Sequence, residues 1–365
     1  MNLVSYDKAK KNCLLTFCNK RTGFSSIING LVADFSSRGY HFEKVSGIAF
    51  DNSIEIINAL TDSIKFHENI VICCPSRMEK TLKDFFETSL KVAFDGLNTL
   101  KTAENNIFIF LSDSENKLSV TYVCDYFDNL YGCSYKKAYI RAVGLPDNLL
   151  DNALKEAKNF CPELQFNIID NFGDSTLEIV YDSTVSKSNF DKAYRAIVER
   201  ANKYIYALDN ISLAERLVQL LKLRRMKISV AESFTGGGIS KRLVEIAGVS
   251  EVYFEGLNTY ANESKRQRLE VGELVLKQYG AVSKETAAKM AEGLLAVGNC
   301  DISISTTGIA GPKSDNTNKP VGLVYIGIAT ADETQVYEYN LKGSRKDITE
   351  TAINLALFAA FKKVK

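Results

Sequence analysis

Ser250, Tyr260 and Lys265 fall within one short stretch, GVSEVYFEGLNTYANESK, residues 248–265. A serine hydroxyl becomes a nucleophile only when a neighbouring group takes its proton. Histidine commonly does so, but the chain's two histidines, His41 and His67, lie far upstream. A lysine beside the serine can serve instead. Desolvation disfavours its ammonium form and lets it lose a proton near neutral pH, after which it can act as a general base. Ser250 with Lys265 as base, and Tyr260 relaying or orienting the proton, is one reading. A helix-capping serine and a surface lysine is the other, and spacing alone leaves both open.

Two further turns carry chemistry-capable residues. The first is Glu232-Ser233-Phe234-Thr235-Gly236-Gly237-Gly238, between an apolar strand and the helix-like ISKRLVEIAG. Free backbone N–H groups converge at a helix start and the helix dipole favours an anion there. Glu232, Ser233, Thr235, Gly236 and Gly237 are therefore candidate substrate contacts, with Thr235, Gly236 and Gly237 facing a phosphate and ribose. The turn lacks the Gly-Lys-Ser/Thr ending of a P-loop, and glycines can also serve a tight turn alone. The second is Thr306-Thr307-Gly308-Ile309-Ala310-Gly311-Pro312, again at a strand end and followed by Lys319-Pro320. Such loops often line a cleft, which makes Thr307, Gly308 and Gly311 candidates as well.

These residues need elements to hold them, and the chain reads as three segments. Up to about residue 133, apolar runs of strand length (NCLLTFC, ENIVICC, NIFIFLS) alternate with amphipathic stretches, the pattern of a parallel α/β sheet. Its turns, CNKRTGF, CCPSRME and LSDSENK, hold neither a glycine-rich phosphate loop nor clustered carboxylates. Residues 134–206 read as β-α-β-β-α, a small α+β domain, with no GxxG to clamp RNA. Residues 207–365 hold all three chemical motifs on an α/β pattern, with Ser283 as an N-cap and an apolar C-terminal helix.

Composition narrows the classes. The chain has 365 residues, beyond the size at which one core usually serves. Lys plus Arg number 45 against 44 Asp plus Glu, so no large field favours a nucleic acid or an anionic membrane. No apolar run reaches membrane-spanning length and the N-terminus does not read as a signal peptide. The eight cysteines include no CxxC pair, so reduced thiols in a cytoplasm are expected, with no metal and no cofactor.

Taken together, AESFTGG, IAGVSEVYFEGLNTYANESK, GAVSKETAAKMAEG, TTGIAGP, KPVG and GSR resemble the C-terminal domain of the CinA (competence/damage-inducible) family, collinearly over about 225–360. That family includes nicotinamide-nucleotide amidohydrolases. Its AES-C-TGG pattern has Phe234 at the cysteine position here, and its Gly-Ser-Ser is Gly248-Val249-Ser250. The resemblance implies Ser250 as nucleophile, Lys265 as its base, Tyr260 assisting, and Arg345 of GSR binding the substrate's negative charge. Segment two resembles the family's K-homology-like middle domain. Segment one sits where longer members carry a molybdopterin-binding-like domain linked to ADP-ribose pyrophosphatase activity, whose glycine- and aspartate-rich signature is here PSRMEKT.

The resulting expectation is an α/β chain of three domains: 1–133, a degenerate molybdopterin-binding-like domain; 134–206, K-homology-like; and 207–365, an amidohydrolase. The expected reaction is hydrolysis of the carboxamide of nicotinamide mononucleotide by a homo-oligomer needing no cofactor, with a small-molecule nucleotide as partner and neither nucleic acid nor membrane. A non-catalytic nucleotide-binding or scaffold protein is the rival expectation. The pyrophosphatase activity is expected to be lost.

Overall fold

The structure, a computed structural model, describes residues 12–18, 25–49, 52–116, 118–132, 134–297, 299–314 and 318–365. It is a mixed α/β chain with three sheets. It divides into two compact units, residues 1–137 with 180–186, and 138–179 with 187–365.

In the first unit the elements are β1 (Asn12–Cys18), α1 (Ser25–Ser37), β2 (Lys44–Ala49), α2 (Ser53–Phe66), β3 (Asn69–Cys74), α3 (Ser76–Leu90), β4 (Thr99–Lys101), β5 (Asn106–Leu111) and α4 (Val120–Tyr131). The sheet order is β2-β1-β3-β5-β4, with only β4 antiparallel. The central strand β3, NIVICC, is buried at every residue, as expected of a parallel strand with both faces covered. Ile70, Ile72 and Cys74 meet Leu60 of α2 and Leu82 and Phe86 of α3 on one face. Val71 meets Phe35 and Phe127 of α1 and α4 on the other. Burial pushes the Cys73 and Cys74 thiols up to about 11 and about 12, which makes them small apolar residues rather than reactive groups. The short or half-exposed strands β2 and β4 carry weaker patterns than the three buried runs. Of the three turns, CNKRTGF lies largely outside the described residues. At the end of β3, the Ser76 backbone N–H donates to Asp113 Oδ1 at 2.8 Å, so a carboxylate of the chain already sits at the start of α3.

The second sheet contains β6 (Tyr135–Val143), β7 (Gln165–Asn171), β8 (Asp174–Asp182) and β9 (Ile205–Ala207), in the order β7-β8-β6-β9, with helices α5 (Asp147–Phe160) and α6 (Lys187–Ala201). The run IYA after the second helix of this segment is a further strand, β9. It is buried and pairs antiparallel with β6.

The third sheet positions the chemical motifs. Its elements are α7 (Leu213–Arg224), β10 (Ile228–Glu232), α8 (Gly238–Val244), β11 (Tyr253–Asn258), α9 (Asn262–Leu269), α10 (Glu273–Tyr279), α11 (Lys284–Val297), β12 (Ile302–Gly308), β13 (Leu323–Thr330), β14 (Thr334–Asn340) and α12 (Arg345–Val364). The order is β11-β10-β12-β13-β14, with β11, β10 and β12 parallel and β13 and β14 antiparallel. Strand alternation sorts the side chains. Ile228, Val230, Ile302 and Ile304 face α7, α8 and α12. Ser303 and Ser305, facing the other way, donate to the Ala291 and Ala287 carbonyls of α11 at 2.7 and 2.6 Å. Ser283 caps α11 as the sequence suggests, accepting from the Thr286 N–H at 3.1 Å.

The apolar C-terminal helix is built into the core. Ile353, Leu357, Phe361 and Val364 of α12 are buried against Leu217 and Leu221 of α7 and the sheet, so the helix is apolar because it is core.

Helix α9 and helix α11 meet without space between their backbones. A Cβ at Gly293 would come within 1.9 Å of the Leu269 carbonyl oxygen. We expect Gly293→Ala to lower stability by about 1–3 kcal/mol, read as a fall in the urea midpoint at unchanged slope. An unchanged midpoint would show that α9 can move aside freely.

Candidate active site

The parallel pairing of β10 and β11 sets Glu232 opposite Asn258. The residues that follow, Ser233 and Thr259, therefore leave the sheet side by side at the carboxyl ends of their strands, where open α/β sheets bind ligands. The Ser233 N–H donates to the Thr306 carbonyl of β12 at 3.1 Å, and the Thr259 N–H to the Glu232 carbonyl at 2.8 Å. Helix α9 then turns back and aims Lys265 at this edge.

Lys265 is 1% exposed. Its Nζ donates to Ser233 Oγ at 3.1 Å, to the Thr259 carbonyl at 2.8 Å and to the Tyr260 carbonyl at 3.0 Å. Burial pushes its pKa down from 10.5 to about 8, because the ammonium loses water that two neutral carbonyls only partly replace. A buried lysine with a lowered pKa in contact with a serine hydroxyl has the geometry that a base and its nucleophile need.

The serine that Lys265 touches is Ser233, not Ser250. Ser250 is exposed in the short 3₁₀ turn Val249–Glu251 that precedes β11, and Lys265 lies beyond the strand's other end. With about 3.3 Å of rise per residue, β11 separates the two ends by roughly 15–20 Å. The structure thus does not bring Ser250 and Lys265 together. Val249 beside it is a core residue, packed with Ile228, Leu243 and Val252. Tyr260 is 66% exposed, and what reaches Lys265 is its backbone carbonyl, not its phenol.

The phosphate reading of the glycine turn also changes. Glu232, 1% exposed, turns its own carboxylate onto the start of α8. It accepts from the N–H groups of Gly237 and Ile239 at 3.1 Å each, from the Ser240 N–H at 2.9 Å and from Ser240 Oγ at 2.7 Å. The anion favoured by that helix end is therefore already present in the chain. Gly236 and Gly237 have φ of +61° and +94°, so their backbone shape accounts for the glycines. We expect Glu232→Ala to destabilise the protein by about 2–3 kcal/mol, since it orphans several buried donors. Thermal unfolding measures this, and a loss under 1 kcal/mol would mean that water replaces the carboxylate readily.

Thr235 is buried and shares a 2.7 Å hydrogen bond with the Thr306 hydroxyl. Thr307 donates to the Ala281 carbonyl at 2.6 Å and so braces the loop before α11. Gly308 closes β12 where a Cβ would sit 2.6 Å from Val324 Cγ1, which explains the glycine by packing. Gly311, at φ +81°, offers its carbonyl to Arg345 Nη1 at 2.7 Å. Arg345 is the first residue of α12 and is exposed. Phe234 is 7% exposed and packs with Ala310, Val324, Ile348 and Ala352. That apolar cluster draws the AESFTGG turn, the TTGIAGP loop and the start of α12 together beneath one edge of the sheet.

The candidate site is thus Ser233 with Lys265, flanked by Thr235, Thr306 and Thr259, with Arg345 anchored on the neighbouring loop. Thr259 is not legible as a site residue in the sequence, and Thr306 is legible only as part of its turn. Their signal is positional, since Thr259 follows β11 and Thr306 lies among the last residues of β12, beside the serine.

Comparison with known proteins agrees with this domain. The CinA C-terminal domain family model matches residues 210–364. Residues 210–364 belong to the CinA C-terminal domain family. A "putative competence-damage inducible protein" of Caldicellulosiruptor saccharolyticus is 44% identical over 176 residues, 48% of this chain and 43% of that protein. A "CinA-like protein" of Kosmotoga olearia is 36% identical over 251 residues, 65% of this chain and 58% of that protein. The chain therefore spans about half the length of the curated relatives it matches. The crystal structure of a competence/damage inducible protein, CihA, from Agrobacterium tumefaciens is 36% identical, covering 41% of this chain and 93% of that one at a TM-score of 0.40. No described helix of this chain is long and apolar enough to cross a membrane.

Proposed function

We propose that the CinA domain hydrolyses the carboxamide of nicotinamide mononucleotide to nicotinic acid mononucleotide and ammonia, with Ser233 as nucleophile and Lys265 as its base. The observation that carries this reading is the 3.1 Å contact between the buried Lys265 Nζ and Ser233 Oγ. In the neutral form, Lys265 takes the hydroxyl proton as Ser233 Oγ attacks the amide carbon. The C–N bond then breaks, and Lys265 returns the proton to the departing ammonia. Water attacks the resulting ester by the same route and frees the serine.

The remaining roles follow from placement. Arg345, exposed at the site's edge, suits a phosphate through charge-assisted hydrogen bonds. The glycine turn does not share that role, because Glu232 fills it. The exposed ring of Tyr260 suits the face of the cationic pyridinium better than proton relay. The division at residues 133 and 206 and a homo-oligomeric state belong to the same proposal.

Purified full-length chain incubated with the mononucleotide is expected to release ammonia and the acid mononucleotide in equal amounts. Absence of turnover, with the nucleotide still binding, would favour the non-catalytic reading, for which the Phe234 substitution and its packing beneath the site speak. For the first unit, the Asp113 carboxylate at the start of α3 supports loss of pyrophosphatase chemistry.

A further inference from the structure

The middle sheet carries no part of the Ser233–Lys265 pair, yet its β7–β8 turn is fastened to the helix that begins with Arg345. Phe172 and Gly173 in that turn have φ of +55° and +78°, the paired left-handed residues of a tight hairpin. The carbonyls of Asn171 and Phe172 both accept from Asn354 Nδ2 of α12, at 2.9 and 3.0 Å. Asn354 is fully buried. Its Oδ1 accepts from Arg242 Nη1 of α8, and Arg242 Nη2 pairs with Glu350 one turn nearer the start of α12. Nearer still, Lys346 Nζ lies 5.7 Å from the centre of the Phe172 ring. The turn therefore lies along α12 from Lys346 to Asn354, and Arg242 ties in α8, the helix that Glu232 caps.

We propose that the Asn171–Gly173 turn, acting through Asn354 and Lys346, is a positioning element that sets Arg345 for the nucleotide phosphate. The proposal rests on the reading of Arg345 as the phosphate-binding group. Both amide donors of Asn354 are spent on the turn, so withdrawing the hairpin would leave them orphaned in the core. Burying such a group unpaired is costly, and the turn and α12 consequently move as one piece. This gives the middle sheet a role in substrate affinity that needs no ligand of its own.

The test uses full-length protein. Asn354→Asp keeps the side-chain shape and an acceptor for Arg242 but turns an oxygen on two carbonyl oxygens. It is expected to raise KM for nicotinamide mononucleotide about tenfold with kcat within about twofold. Its kcat/KM on the nucleoside lacking phosphate should match the parent, and amide hydrogen exchange at residues 345–350 should quicken. Phe172→Asn, which tolerates the left-handed turn and removes the ring beside Lys346, is expected to raise KM about threefold, and it decides the matter if the first variant does not fold. Unchanged KM together with unchanged exchange at 345–350 would overturn the proposal. An equal loss on nucleotide and nucleoside would overturn it too, because it would show a merely structural role. If the parent has no turnover at all, the function fails, while exchange at 345–350 still decides whether the turn holds α12.

Discussion

Ser233→Ala is expected to cut ammonia release from nicotinamide mononucleotide by about a thousandfold or more, while Ser250→Ala leaves it within about twofold. The contrast follows from geometry. Ser233 Oγ is 3.1 Å from a buried lysine amine, and Ser250 is an exposed residue at the far end of β11. Removing a nucleophile removes the covalent route altogether, whereas an exposed serine in a surface turn contributes little beyond its local fold. Steady-state rates of the two variants, with circular dichroism to confirm folding, decide between them. A dead Ser250→Ala protein beside an active Ser233→Ala protein would reverse the assignment.

The second large effect concerns Lys265 and pH. With its pKa pushed down to about 8, only about a tenth of the protein holds the neutral amine at pH 7. The value of kcat/KM is therefore expected to rise roughly tenfold per pH unit below the midpoint and to level off above about pH 8. Lys265→Met should lose this limb together with about a thousandfold or more of activity. A rate flat from pH 6 to 9 would exclude lysine as the base.

Stability carries the same signature with a definite sign. Between about 8 and 10.5 the unfolded lysine is protonated while the folded one is neutral. The unfolded state then binds more protons, so stability rises with pH across that window. Below about pH 8 both states are protonated and the full burial penalty, about 3 kcal/mol, opposes folding. Buried thiols and phenols such as Cys74 and Tyr131 have raised pKa values and push the other way in alkali. The useful quantity is accordingly the difference between wild type and Lys265→Met, which should grow toward the wild type as pH climbs from 8.

Much of the fold is legible in residue order. The buried runs NCLLTFC, ENIVICC and NIFIFLS become β1, β3 and β5, because a strand covered on both faces must be apolar throughout. Ser283 at the start of α11 and the motif-bearing turns after β10 and β12 also fall where local pattern puts them. The weakly patterned β2, β4 and β9 are less legible. They are short or half-exposed and exist because a neighbouring strand offers hydrogen bonds.

By itself, the sequence determined the kit: a domain with no histidine, in which any acid–base work falls to another group, and the motifs that match the CinA C-terminal domain model. Only the tertiary structure shows which serine the lysine touches. Proximity along the chain favoured Ser250. Parallel pairing of β10 with β11 instead places together the residues that follow strands, Ser233 and Thr259, and sends the residue that precedes one, Ser250, to the opposite edge. The same is true of Glu232. Its type and place suggest a ligand contact, but only the fold back onto α8 shows its carboxylate already satisfied by the helix, because the partners of a buried charge are set by what packs around it.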